Sequence, residues 1–80
     1  MRQLIRELRS KNIKYELYIL DNEQWLLLFD DTNELVMSVK KTNVYCVSEN
    51  CTKSIKLGLH YEDEFDNVEE VLDRYYKLLT

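Results

Sequence analysis

Eighty residues make one domain, 1–80, too short for a second hydrophobic core. Hydrophobic residues at 45% and charged residues at 32% suit a folded chain rather than a disordered one. The net charge of -4 argues against nonspecific binding of nucleic acid or of an anionic membrane, and favours a basic protein partner or merely solubility.

Residues 2–11 read as a helix. Met1, Leu4, Ile5 and Leu8 share one face, and Arg2, Arg6, Arg9 and Lys11 lie on the other, a solvated basic face in the simplest reading. Asn12 is placed to end the helix in a left-handed conformation. From Ile13 the period changes to two, giving a first strand over Ile13 to Leu20. Asp21-Asn22-Glu23 is a turn. In Trp25 to Phe29 both faces are apolar, which places this second strand inside a sheet. Asp30-Asp31-Thr32-Asn33 is the next turn, and Leu35 to Lys40 a third strand. Tight turns make the pairing antiparallel.

After Lys41-Thr42-Asn43 a short fourth strand covers Val44 to Val47. Beyond it two readings compete. Ile55, Leu57, Leu59 and Tyr61 alternate as in a strand. Cys51, Ile55 and Leu59 have helical spacing, with Gly58, the only glycine, as a stop. The punctuation favours a short helix. The last element is a helix with the apolar stripe Val68, Val71, Leu72, Tyr75, Leu78 and Leu79, opened by a capping pair, Asp66 with Glu69 or Asn67 with Glu70. The expected fold class is α+β: an N-terminal helix, an antiparallel three- to four-stranded meander and a C-terminal helix packed on the sheet.

The most unusual stretch precedes and opens that helix. Seven carboxylates fall within Glu62–Asp73, and no basic residue lies among them. The helix dipole accounts for acids in the first turn. It does not account for Glu62, Asp63 and Glu64, which are expected in a loop ahead of the helix. A second acidic group, Asp30, Asp31 and Glu34, joins this one only if the two turns share an end of the sheet.

Catalytic and metal chemistry find little material. His60 is the only histidine, and Cys46, Cys51 and His60 are the only nucleophile-and-base candidates. Their spacing matches no zinc pattern, and the acidic stretch lacks the alternating oxygens and central glycine of a calcium loop. No catalytic residue, metal site or cofactor is expected. Nucleic-acid binding through Arg2, Arg6, Arg9, Lys11 and Lys14 is opposed by the acidic remainder. Two cysteines are too few for a disulfide framework, no signal peptide is visible and no apolar run spans a bilayer. The chain is expected to be cytoplasmic, a monomer or homodimer, and to bind protein through carboxylates standing where phosphates or base-edge acceptors would lie. The absence of proline and alanine, with abundant Asn, Lys and Tyr, suggests an AT-rich coding source such as a phage or low-GC bacterium.

Three stretches resemble the small type II-A anti-CRISPR proteins of prophages. Leu4-Ile5-Arg6-Glu7-Leu8 with Lys11-Asn12 is similar to their opening helix. Asp31-Thr32-Asn33-Glu34-Leu35-Val36-Met37-Ser38 is similar to a turn and strand. Tyr61-Glu62-Asp63-Glu64 with Phe65 resembles their acidic loop before the last helix. The resemblance implies a non-enzymatic inhibitor that binds a guide-loaded type II nuclease and fills its PAM-reading site, where arginines take guanine acceptors. By that resemblance Asp63 and Glu64 face those arginines and Asp31 makes a second acidic contact. The family runs helix, three strands, two helices, and here Val44 to Val47 adds a strand. The partner-binding residues expected are thus Asp30, Asp31, Glu34, Glu62, Asp63, Glu64, Asp66, Glu69 and Glu70. An immunity protein or antitoxin that neutralises a basic toxin or nuclease active site is the alternative.

Overall fold

A computed structural model describes residues 1–20, 22–49 and 62–79. Helix α1 (Arg2–Ser10) leads into strands β1 (Lys14–Leu20), β2 (Glu23–Phe29), β3 (Leu35–Lys41), β4 (Tyr45–Glu49) and β5 (Glu62–Phe65), and helix α2 (Val68–Leu78) follows. The strands form one antiparallel sheet in the order β1-β2-β3-β4-β5. The α+β class holds, with one strand more than the three or four expected. The addition is Glu62–Phe65: the segment expected as an acidic loop is hydrogen-bonded to β4, with Ser48 opposite Glu62 and Tyr45 opposite Phe65. Acid content hides a strand from propensity, because Asp and Glu are poor strand formers wherever pairing does not override them. The helix-or-strand question over Cys51 to Gly58 lies outside the described residues.

Alpha-helix α1 stops as Asn12 suggests. Asn12 takes φ 56°. Its N–H donates to the Arg9 carbonyl at 3.2 Å, and the Ile13 N–H donates to the Leu8 carbonyl at 2.9 Å, a Schellman closure that sets buried Ile13 against buried Leu8. Asn22 and Asn33 also hold positive φ, 66° and 65°. Three asparagines thus occupy left-handed positions in a chain with one glycine. The short amide side chain can hydrogen-bond locally and so tolerates the conformation better than other non-glycine residues.

Registered partners share a sheet face. Leu26 and Leu28, Met37 and Val39, and Tyr45 and Val47 therefore line one side, and all six are buried. Onto this side pack Leu4 and Leu8 of α1 and Val68, Val71, Leu72 and Tyr75 of α2, completing a single core. Leu26 and Leu28 are core residues at 0% exposure. A bulge between Leu28 and Phe29 gives β3 an extra residue at Val36 and bends the sheet where α2 crosses it.

The topology also fixes ends. Lys14 pairs with Phe29, so α1 enters the sheet at the β2–β3 turn end. Beta-strand β5 finishes opposite Tyr45, at the other end, and α2 runs back from there until the Tyr75 hydroxyl reaches the Phe29 carbonyl at 2.6 Å.

Candidate functional site: two separate acidic groups

The first acidic group is the β2–β3 turn. Asp30 spends its carboxylate on the turn itself: Oδ1 accepts from the Thr32 hydroxyl at 2.7 Å, the Thr32 N–H at 2.9 Å and the Glu34 N–H at 2.9 Å. The Thr32 hydroxyl, then the Glu34 N–H, hold its pKa below the ordinary carboxylate value. Asp31 and Glu34 are exposed. Cations share this end: Lys14 Nζ donates to Asn33 Oδ1 at 2.9 Å, and Lys11 and Lys14 line a hollow of 190 Å³ with Asp30, Asp31, Tyr75 and Tyr76. The turn carries a mixed field, not a negative one.

The second group lies at the opposite end, around β5 and the start of α2. The start of α2 is about 20 Å from the turn along the strands, beyond the screening length of about 8–10 Å, whereas Glu62 lies level with Ser48, Ser38 and Leu27 nearer the middle of the sheet. The start of α2 and the turn therefore act separately.

Within the second group the residues divide again. Asp63 opposes Val47 and so lies on the helix side of the sheet, where Arg74 Nη1 donates to its Oδ2 at 2.5 Å. Arg74 also stands over the Phe65 ring, 5.2 Å from its centroid. Where the sequence-based expectation has Asp63 present its carboxylate to an external arginine, the chain supplies an arginine of its own, with the Asp63 side chain still 43% exposed. The reason is strand alternation, which the loop reading does not contain. Glu64 opposes Cys46 on the other face and is exposed. Glu62 enters β5 opposite Ser48.

On α2, Asn67 caps the helix: its Oδ1 accepts from the Glu70 N–H at 2.9 Å. Of the two capping pairs the sequence offers, the structure uses Asn67 with Glu70. Asp66, Glu69 and Glu70 are exposed, and so is Asp73, absent from the sequence-based set, one turn beyond Glu69 and Glu70. None of these four makes an ion pair among the described residues. The buried stripe of Val68, Val71, Leu72 and Tyr75 turns Glu69, Glu70 and Asp73 toward solvent, while Asp66 precedes the cap. Glu69 and Glu70 also sit where the helix dipole favours negative charge, which explains part of their presence; Asp73 lies past the first turn.

Elsewhere the site chemistry is thin. Cys46 carries a free, half-buried thiol 3.9 Å from the Thr42 hydroxyl, and Cys51 and His60 lie outside the described residues. Among the described residues no group of three or more His, Cys, Asp or Glu is placed to hold a metal ion, and no helix is long and apolar enough to cross a membrane. Sequence reasoning missed Arg74 as Asp63's partner. It also missed Leu17, Tyr18 and Ile19, which remain 48%, 48% and 63% exposed on β1. Their alternation predicts a strand but not whether either face is covered.

No protein family matches the chain, and no curated protein or solved structure is significantly similar to it.

Proposed function

We propose that the chain is a non-enzymatic binding protein that offers the acidic start of α2 to a basic surface on a partner protein. One observation carries this: Asp66, Glu69, Glu70 and Asp73 are all exposed and none makes an ion pair among the described residues, although Arg74 and Lys77 line a hollow with Glu70 and Asp73. Exposed carboxylates at the start of a helix form charge-assisted bonds with arginine and raise the rate of encounter with a positive surface. Glu64, on the other face of β5, extends the negative field around the sheet edge.

In its specific form the proposal is an anti-CRISPR protein that binds a guide-loaded type II nuclease and blocks DNA recognition. Only the resemblance stated above supports that partner. The geometry reshapes it, since Asp63 is occupied by Arg74 and Asp31 lies at the far end of the sheet. The contact would run through Glu64 and the helix acids.

The test is calorimetric titration of a guide-loaded type II nuclease with the wild type, Glu69→Lys/Glu70→Lys and Asp63→Asn. The proposal expects binding that weakens as salt rises, a loss of at least about tenfold in the charge-reversed pair, and little change for Asp63→Asn. Absence of heat with the nuclease at low salt removes the anti-CRISPR form. Binding instead to a basic toxin or nuclease active site, with the same variant ranking, gives the immunity-protein reading.

A further inference from the structure

The two edges of the sheet are built differently. Edge β5 has four residues, three of them acidic, Glu62-Asp63-Glu64. A short, charged edge is one that foreign strands avoid. Edge β1 has seven residues, Lys14–Leu20, paired with β2 in unbroken register, with no bulge and no proline, and its charges fall only at Lys14 and Glu16. Among the described residues no strand lies on its outer side. Leu17, Tyr18 and Ile19, at its centre and toward its end, are the most exposed run of large hydrophobics in the described chain. Leu17 and Ile19 share the face of Leu26 and Gln24, while Tyr18 shares that of Trp25. Apolar surface is thus open on both sides of one free edge. A helix docking on either face would cover only part of it. An added strand brings neighbours to both.

We infer that β1 is the pairing edge of a homodimer, in which two copies join antiparallel about a two-fold axis at Leu17 and the two sheets become one. The sequence of β1 suits its own copy. Centred on Leu17, all seven residues pair: Leu17 stands against Leu17, Tyr15 against Ile19 and Glu16 against Tyr18, with no like charges directly opposite. Centring the axis one residue earlier would set Glu16 against Glu16. At the ends, Lys14 of one β1 stands against uncharged Leu20 of the other, so no like charges meet there either. Arg9 hangs over this edge through its bond to the Tyr15 hydroxyl at 2.8 Å, and the repulsion between its two copies is screened at physiological ionic strength.

Such a dimer leaves the acidic starts of both α2 helices free, because they lie on the β5 side of each sheet. It would present two identical acidic faces, one at each end of a ten-stranded sheet.

Two measurements on the full chain test this. Sedimentation equilibrium over about 1 µM to 1 mM, a range that spans modest affinities, is expected to show a monomer–dimer equilibrium. Its dissociation constant should rise at least about tenfold in Leu17→Lys/Ile19→Lys, with circular dichroism confirming the fold. In a Cys46→Ser/Cys51→Ser background, Leu17→Cys is expected to form an intermolecular disulfide under mild oxidation, since directly opposed positions place their Cβ atoms about 4.5–5.5 Å apart. Glu16→Cys, set against Tyr18, should link far more slowly. A wild type that stays monomeric throughout overturns the inference. So does a dimer in which Leu17→Cys links no faster than Glu16→Cys, a result readable even if the lysine variant fails to fold.

Discussion

Arg74 joins α2 to Asp63 of β5 through a 2.5 Å contact and rests its guanidinium 5.2 Å from the Phe65 ring centroid. One cation thus ties the last strand to the last helix across the Asp66-Asn67 corner, and removes one carboxylate from the acidic surface. Both partners are partly exposed, Arg74 at 25% and Asp63 at 43% of the side chain, so solvent screens the pair. Asp63→Ala should cost no more than about 1 kcal/mol of unfolding free energy. Arg74→Ala should cost more, because the contact with Phe65 and the packing of its aliphatic stem go as well. A double-mutant cycle by urea denaturation measures the coupling. A coupling indistinguishable from zero would show that the two charges meet without stabilising β5.

Tyr75 is the second tie. Its hydroxyl donates to the Phe29 carbonyl at 2.6 Å, next to the bulge, and its ring is buried. Tyr75→Phe leaves that carbonyl without its partner and should cost about 1 kcal/mol. Burial, with smaller contributions from Asp31 and Asp30, raises the Tyr75 pKa. A raised folded-state value means that its contribution is complete below the ordinary tyrosine pKa of about 10 and is lost as pH rises through the higher folded value. The phenylalanine variant should therefore show a shallower alkaline decline in melting temperature than the wild type. Equal slopes would separate Tyr75 from the alkaline limb.

Asp30 gives the opposite sign. Its pKa is lowered, chiefly by the Thr32 hydroxyl and then the Glu34 N–H. Its contribution is complete above the ordinary carboxylate range and is lost as pH falls through the lower folded value. Asp30→Asn keeps an acceptor but not the charge. Thermal melts between about pH 2 and 5, the window of carboxylate titration, should be flatter in this variant than in the wild type. A wild-type melting temperature with no acid slope attributable to Asp30 would count against the turn as a pH-sensitive element.

The cap of α2 bears on function as well as stability. Asn67→Ala removes the acceptor for the Glu70 N–H and should cost about 1 kcal/mol, whereas Asn67→Asp should cost much less. Fraying the first turn also loosens Asp66, Glu69 and Glu70. Partner affinity should fall in the alanine variant even though no contact residue has changed. Unchanged affinity beside a lowered melting temperature would show that the acidic face does not need an ordered helix.

The chain by itself determined the class of the fold. Period-3.6 stripes at Leu4 and Leu8 and at Val68, Val71, Leu72 and Tyr75, period-two runs at Tyr15 to Ile19 and Leu35 to Val39, and turn residues such as Asn12 and Asn33 are local signals, and local signals are legible in one dimension. The surplus of acids near residue 62 was equally plain. Its arrangement was not. A loop and an edge strand have the same acidic composition, and only pairing with β4 makes Glu62–Phe65 a strand. Pairing then sends Asp63 and Glu64 to opposite faces, gives Asp63 to Arg74 across eleven residues of sequence, and sets the Asp31 turn at the far end from Asp66 and Glu69. Those outcomes depend on which strand ends meet. Charge along a sequence says how much field there is; strand order and register decide where it points.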